Sequence, residues 1–111
     1  MNNLGALRDR LAEWCESKPL VARAWIFGSR ARGQERVDSD IDIAIELDGA
    51  ATAGVDESGG LATWMFETQS WEAELSALFP FEVDLEQYIA GQTPTIATAL
   101  DESSVLAYQK S

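Results

Sequence analysis

The first part of the chain changes from a helical to an extended spacing of apolar residues. Residues 3–16 are predicted to form an amphipathic helix because apolar side chains recur on one face at helical intervals. These positions are Leu4, Leu7, Leu11 and Trp14. Lys18-Pro19 ends this helix, and Ala22 to Phe27 is predicted as a first strand. Gly28-Ser29 breaks the strand, and its serine is placed to cap a short helix over Arg30 to Gly33.

The middle of the chain is predicted to contain a second strand, a loop and a long helix. Asp40 to Leu47 is the predicted strand, and Asp48 to Gly60 is a predicted loop because its residues are small and polar. A helix follows, in which one stripe is predicted to face the core. The stripe consists of Leu61, Trp64, Met65, Thr68, Trp71, Leu75, Leu78 and Phe79. Pro80 stops this helix.

The last part of the chain adds a third strand and a further helix. Alternation of apolar residues predicts the strand at Phe81 to Glu86. Residues 94–107 are predicted to form a short helix followed by an extended piece. A length of 111 residues suits one domain with a modest core. We therefore predict a single domain over residues 1–111, an α/β fold with a small mixed sheet and helices packed on it.

The second strand carries two aspartates on one face. Side chains alternate between the two faces of a strand, and one face here is apolar. That face consists of Ile41, Ile43, Ile45 and Leu47. Asp40 and Asp42 lie side by side on the other face, where like charges raise each other's pKa unless a cation lies between them. A solvated acidic edge is the ordinary interpretation of such a pair, but the residues before it favour a functional one.

The composition excludes several kinds of site. The chain has no histidine, which rules out Ser-His-Asp and Cys-His catalysis and histidine-ligated zinc. A metal ion would therefore be held by carboxylates and carbonyls, which favours Mg²⁺ or Mn²⁺. The single Cys15 is in register with the apolar face of the first helix and is predicted to be a core residue. With no signal-peptide core and no apolar run of membrane-spanning length, the sequence predicts a cytoplasmic protein that makes no use of a membrane.

The net charge of −11 is unevenly distributed along the chain. Residues 1–37 hold seven basic and four acidic residues, whereas residues 38–111 hold fifteen acidic residues and one basic residue, Lys110. A nucleic-acid binder needs a basic contact surface, so direct nucleic-acid binding is not expected. Solubility, adaptation to a high-salt cytoplasm and a strongly basic protein partner all remain open as explanations.

Gly28-Ser29 has the features of an anion-binding turn. Between a strand and a predicted helix start, free backbone N–H groups and the positive end of the helix dipole point forward. Glycine allows a phosphate to approach the backbone, the Ser29 hydroxyl adds a donor, and Arg30, Arg32 and Arg36 supply positive charge. Most serines in such turns only cap a helix. The sequence GSRARG also lacks the G-x-x-x-x-G-K-[ST] pattern of a P-loop.

The Gly28-Ser29 turn and the Asp40 and Asp42 pair are together more specific than either feature alone. Gly28-Ser29, ten further residues and then Asp40-x-Asp42 on an apolar strand resembles the nucleotidyltransferase superfamily typified by DNA polymerase beta. GSRARG followed by SDIDIAI is most similar to its minimal nucleotidyltransferase (MNT) branch. The resemblance covers a catalytic module of about residues 21–86. It implies a polymerase beta-like fold and a third carboxylate on a later strand, for which Asp84 is the candidate and Glu82 and Glu86 are rivals.

The resemblance also implies roles for these residues. Asp40, Asp42 and Asp84 would hold one or two divalent ions, and Gly28, Ser29, Arg30 and Arg32 would bind the nucleotide phosphates. An acceptor hydroxyl would then attack the α-phosphate in line, a reaction that needs no protein nucleophile. Three further acidic residues are predicted to lie outside the site, with the two at the ends of the segment solvated: Asp38, Glu46 and Asp48.

The sequence does not identify the molecule that accepts the nucleotide. MNT proteins are often antitoxins that transfer AMP from ATP onto a tyrosine of a HEPN ribonuclease, so the resemblance implies a basic HEPN toxin as partner. Two other functions remain open. One is a non-catalytic antitoxin that acts by complex formation alone. The other is a small-molecule nucleotidyltransferase of the aminoglycoside-modifying type, which is disfavoured because little chain remains to form an acceptor pocket.

Overall fold

The computed structural model describes residues 4–28, 40–48, 61–79, 82–89 and 93–110. These residues form helices α1 (Leu4–Glu16), α2 (Leu61–Leu78) and α3 (Pro94–Glu102). They also form strands β1 (Val21–Phe27), β2 (Ile41–Leu47), β3 (Val83–Gln87) and β4 (Ser104–Gln109). The predicted order of helices and strands is confirmed. The predicted short helix over Arg30 to Gly33 and nearly all of the loop from Asp48 to Gly60 lie outside the described residues.

The four strands form one mixed sheet in the order β3-β2-β1-β4. β1 is antiparallel to both of its neighbours, whereas β2 and β3 are parallel. Parallel neighbours cannot be joined by a tight hairpin, and the connection from β2 to β3 contains α2. The predicted extended piece near the C-terminus is the edge strand β4, which extends to Gln109, two residues beyond the predicted end. The predicted α/β fold with a small mixed sheet is therefore confirmed.

One face of the sheet forms the hydrophobic core with α1 and α2. The isoleucines of β2 (Ile41, Ile43 and Ile45) are all fully buried on this face. Each buried side chain of this size contributes roughly 1.5–3 kcal/mol relative to exposure. Cys15 lies in the same core, as predicted, and burial raises the pKa of its thiol to about 12. The thiol is therefore protonated at neutral pH and acts as a small apolar side chain.

Three tryptophans join α1 to α2, and an ion pair from Lys18, just after α1, adds to this contact. The ring of Trp71 lies edge-on to both Trp14 and Trp64, with centroid distances of 5.7 and 6.1 Å. Trp14 Nε1 donates a hydrogen bond of 3.0 Å to Glu74 Oε1, and Lys18 Nζ lies 2.6 Å from the same oxygen. The two helices are thus held both by apolar packing and by polar contacts at the edge of the core.

The predicted core stripe of α2 is partly wrong. Trp71, Leu75 and Phe79 are buried, but Met65 is 70% exposed and Leu78 is 39% exposed. At about 100° of rotation per residue, Met65 and Leu78 fall at the two edges of the stripe, where the sheet no longer covers them. Phe66, outside the stripe, is 83% exposed. No described helix is both long and apolar enough to span a membrane.

Candidate active site

The face of the sheet opposite the core carries the acidic residues of the predicted site. We call it the carboxylate face and define it by Arg23, Trp25, Asp42, Ala44, Glu46, Asp84 and Glu86. Helix α3 contacts β1 and β4, and its Ala97 and Leu100 line a cavity together with Trp25, so α3 lies on this side of the sheet. The alternation that buries the isoleucines therefore also presents the aspartates to the opposite side.

Strand register brings Asp42 and Asp84 together. The two residues are direct partners in the parallel pairing of β2 with β3. Their side chains are close enough to interact, and this contact is one of the causes that raise the pKa of Asp42. Asp40 directly precedes β2 and adds to the negative charge around Asp42. The structure thus pairs two of the predicted carboxylates, Asp42 and Asp84, across strands separated by some forty residues of chain, with Asp40 nearby.

The same register distinguishes Asp84 from its rivals. The backbone oxygen of Glu82 accepts a 2.9 Å hydrogen bond from the N–H of Ile41, which places Glu82 at the start of the strand. Glu86 pairs with Ala44, one step along the face from Asp42. Asp84 alone of the three is paired with Asp42, which makes it the best placed third carboxylate.

Asp42 has an unusual electrostatic environment. Burial is the largest cause that raises its pKa, to about 6, and the negative charges of Asp84, Asp40 and Glu86 add to the effect. The pKa of Glu86 is also raised, first by burial and then by the charges of Asp84 and Glu72. The carboxylate face is therefore a region of concentrated negative charge, and a bound cation would reduce the repulsion between its carboxylates.

Gly28 forms the wall of the site beside Asp42. Its φ of +77° lies in the left-handed region that L side chains rarely adopt. A Cβ atom at this position would overlap Oδ2 of Asp42, far inside van der Waals contact. Phe27, the preceding residue, pairs with Asp42 in the antiparallel ladder, which explains the close approach. The site therefore requires glycine here for both its conformation and its lack of a side chain.

The chemistry of these groups suits a hard divalent ion. Carboxylate oxygens are the ligands that Mg²⁺ and Mn²⁺ prefer, and Asp42 and Asp84 lie directly opposite each other on neighbouring strands. Within the described ranges, however, no three His, Cys, Asp or Glu side chains are arranged closely enough to hold a metal ion. Asp42 and Asp84 thus fit as a pair of ligands, and Asp40 would have to join them by a change of side-chain conformation.

Several predicted residues are not tested by this geometry. Ser29, Arg30 and Arg32, the predicted phosphate ligands after Gly28, lie outside the described residues, as does Asp38. Glu46, which was predicted to lie outside the site, accepts two hydrogen bonds from Arg23 at 2.5 and 3.0 Å. Asp48, predicted to be solvated, instead forms a 2.7 Å ion pair with Lys110 at the C-terminal edge of the sheet.

The carboxylate face also carries an aromatic pair that was not predicted from the sequence. The rings of Trp25 and Tyr88 meet edge to face, with centroids 5.3 Å apart. They belong to opposite sides of β2, and the small side chain of Ala44 between them leaves room for this contact. Arg23 lies over the Trp25 ring at 5.0 Å. The available signal was the alternation in β1, which puts Arg23 and Trp25 on one face.

Solved structures with the same fold include toxin–antitoxin complexes. A crystal structure of a toxin–antitoxin with AMP-PNP is similar at a TM-score of 0.67 and 16% identity, covering 93% of this chain and 73% of that chain. A tri-AMPylated Shewanella oneidensis HEPN toxin in complex with an MNT antitoxin is similar at a TM-score of 0.59 and 14% identity, covering 96% and 72%. At such identities the likeness shows the fold.

Sequence comparison gives the family directly. No curated protein sequence matches the chain significantly. The family model described as polymerase beta, nucleotidyltransferase matches residues 9–111, which is most of the chain and includes every described residue of the carboxylate face. The Gly28 turn, the paired Asp42 and Asp84 and the mixed sheet that positions them thus agree with one conclusion: the chain belongs to the polymerase beta-like nucleotidyltransferase family.

Proposed function

We propose that this chain is a metal-dependent nucleotidyltransferase that moves AMP from ATP onto a hydroxyl of a partner protein. The observation that carries the proposal is the direct pairing of Asp42 with Asp84 beside Gly28, where no side chain could fit. Family membership supports the reaction type, since transfer of a nucleoside monophosphate needs carboxylates but neither a histidine nor a protein nucleophile. Mg²⁺ or Mn²⁺ is the proposed cofactor.

In the proposed mechanism, each part of the site has a distinct role. Asp40, Asp42 and Asp84 would hold the metal, which would supply positive charge that neutralises the phosphates and favours ionisation of the acceptor hydroxyl. Gly28 leaves the backbone open to the triphosphate, and Ser29, with Arg30 and Arg32, binds its β- and γ-phosphates. The hydroxyl oxygen attacks the α-phosphorus as the bond to the leaving pyrophosphate breaks, and the hydroxyl proton passes to solvent.

The proposed partner is a HEPN toxin, which makes this chain its antitoxin in the cytoplasm. The structural relatives support this proposal because one is a complex of an MNT antitoxin with an AMPylated HEPN toxin. The charge of residues 38–111 supports it independently, because fifteen acidic residues and one basic residue favour a basic partner. No described feature favours a small-molecule acceptor over a protein. Inhibition by complex formation alone is the competing function and is an outcome of the tests below.

Calorimetry with ATP tests the nucleotide site. We expect wild type to bind ATP with Mg²⁺ or Mn²⁺ and much more weakly with a chelator. Asp42→Asn should remove most of the metal-dependent binding. Asp84→Asn should abolish transfer but largely spare Mg-ATP binding. The reason is that Asp84 lies on the side of the site away from Gly28, and we assign that side to the acceptor hydroxyl. Glu82→Gln is the matched control and should change neither.

Two results would contradict the proposed site. Equal ATP affinity with and without metal would exclude a metal-bridged triphosphate. Loss of transfer in Glu82→Gln or Glu86→Gln, with transfer retained in Asp84→Asn, would show that the third carboxylate is wrongly assigned. Asp84 and Glu82 are both exposed, so neither substitution is expected to disturb folding.

A further inference from the structure

A cavity of about 270 Å³ opens on the carboxylate face, next to the acidic residues. Its lining, as far as the chain is described, consists of Trp25, Tyr88, Ala97, Leu100, Asp101 and Ser104. Its lining combines two aromatic rings and two aliphatic side chains with the carboxylate of Asp101 and the hydroxyl of Ser104, and most of its exposed surface is polar. Its volume lies just below the ~300–1,000 Å³ of pockets that enclose a whole drug-sized ligand. It therefore suits one ring system better than a complete nucleotide.

Strand register fixes how close this cavity is to the carboxylates. Trp25 pairs with Ala44, which is two residues from Asp42 on the same face of β2. Ser104 pairs with Phe27, and Phe27 pairs on its other side with Asp42. At ~3.3 Å per residue and ~4.8 Å between strands, the backbone of Trp25 lies about 8 Å from that of Asp42. A nucleotide whose α-phosphate lies at Asp42 can span that distance with its sugar.

The direction of the proposed reaction also favours this cavity, and this step rests on the proposed function. Pyrophosphate leaves on the side of Gly28 in β1, and the acceptor enters on the side of Asp84 in β3, so the line of attack crosses the strands. The nucleoside oxygen leaves the α-phosphorus roughly perpendicular to that line, and one such direction runs along the strands. Trp25 and Ala44 are the next residues along the strands on this face.

We propose that this cavity holds the adenine ring of ATP. Aromatic side chains bind nucleobases through their ring faces and edges, and Trp25 and Tyr88 provide such a surface. The carboxylate of Asp101 accepts a hydrogen bond from the exocyclic amino group of the base. Ser104 Oγ donates to the backbone oxygen of Leu100 at 2.7 Å, and its own oxygen can accept a second bond from the base. Triphosphate binding near Gly28 and base binding near Trp25 are thus separable.

Calorimetry with two probes tests this separation. Mg-ATP reports on the whole site, whereas Mg-tripolyphosphate reports only on the metal and phosphate side. We expect Trp25→Leu to weaken Mg-ATP binding about tenfold or more, as expected for the loss of a base–aromatic contact, and to leave Mg-tripolyphosphate binding within about twofold. Asp101→Ala should act in the same direction. Glu102→Ala is its matched control, since both residues are exposed at the end of α3 and only Asp101 lines the cavity.

Each outcome decides a different claim. If Trp25→Leu fails to fold, as judged by circular dichroism, the exposed Asp101 and its control decide the result. Unchanged Mg-ATP affinity in Asp101→Ala and in a folded Trp25→Leu overturns the adenine site while leaving the proposed function intact. Slower transfer with unchanged Mg-ATP affinity also overturns it and assigns the cavity to the acceptor. If wild type binds neither probe, the proposed function itself fails.

Discussion

At the scale of single residues, one glycine and one aspartate define the candidate site. Gly28 has a positive φ and lies where any side chain would collide with Oδ2 of Asp42. Asp42 in turn has a pKa raised to about 6, mainly by burial and then by neighbouring carboxylates. The close contact between a backbone and a half-buried acid explains why the sequence places a glycine at the end of β1.

We expect Gly28→Ala to destabilise the fold and to remove Mg-ATP binding. The left-handed conformation alone costs a non-glycine residue ~1–2 kcal/mol, and the collision with Asp42 adds to this cost. Urea denaturation measures the loss of stability, and calorimetry measures binding. Shortening the neighbour in a Gly28→Ala, Asp42→Ala double variant should recover the part of the stability lost to the collision. Strictly additive effects of the two substitutions would contradict the contact.

At the scale of helices and strands, polar contacts at the edges complement the apolar core. Glu74 of α2 is hydrogen-bonded to Lys18, to Trp14 of α1 and to Ser70. The contact with Lys18 is the largest cause that lowers the pKa of Glu74. A carboxylate whose pKa is lowered by folding stabilises the native state above its unfolded pKa. That contribution disappears as the pH falls through the folded pKa.

Glu74→Gln should therefore lower the free energy of unfolding at pH 7 but not in acid. The side chain of Glu74 is 39% exposed, so solvent screening limits the loss to less than about 1 kcal/mol. Urea denaturation of wild type and variant at pH 7 and near pH 3 measures the difference. Glu72→Gln on the same helix is the control. A difference between wild type and Glu74→Gln that persists in acid would show that packing, rather than charge, is responsible.

The pattern of the sequence was sufficient for the described helices and strands and for the buried face of β2, but only partly for that of α2. Alternation in β2 predicted that Ile43 faces the core and that Asp42 faces away from it, and both orientations are confirmed. Contacts between distant segments could not be predicted in this way, because periodicity indicates a face and not its partner. The pairing of Asp48 with Lys110, the contact of Trp25 with Tyr88 and the exposure of Met65 all depend on strand order and on where the sheet ends.

At the scale of the whole molecule, charge is the dominant surface property. Residues 38–111 contain a single basic residue, Lys110, and that residue is already paired with Asp48. The net negative charge of this region is expected to attract a basic partner over distances of about a Debye length, ~10 Å at 0.1 M salt.

Association with the proposed HEPN partner should slow as salt is added. Screening weakens long-range attraction between the two proteins but affects their short-range contacts less, so the on-rate should fall more than the off-rate rises. Stopped-flow mixing of the two proteins over a range of salt concentrations measures both rates. An on-rate that does not change with salt would assign the acidic charge to solubility or to a high-salt environment.

The intact mass of the partner protein tests the central claim most directly. This chain is incubated with Mg-ATP and the proposed HEPN partner protein, and the mixture is then analysed by mass spectrometry. The account predicts that the partner gains the mass of one or more AMP groups on a hydroxyl side chain. It also predicts no gain with chelator or with Asp42→Asn, although that variant still forms the complex. Equal neutralisation of the partner by wild type and Asp42→Asn, with no mass gained, would contradict the account and leave inhibition by binding alone.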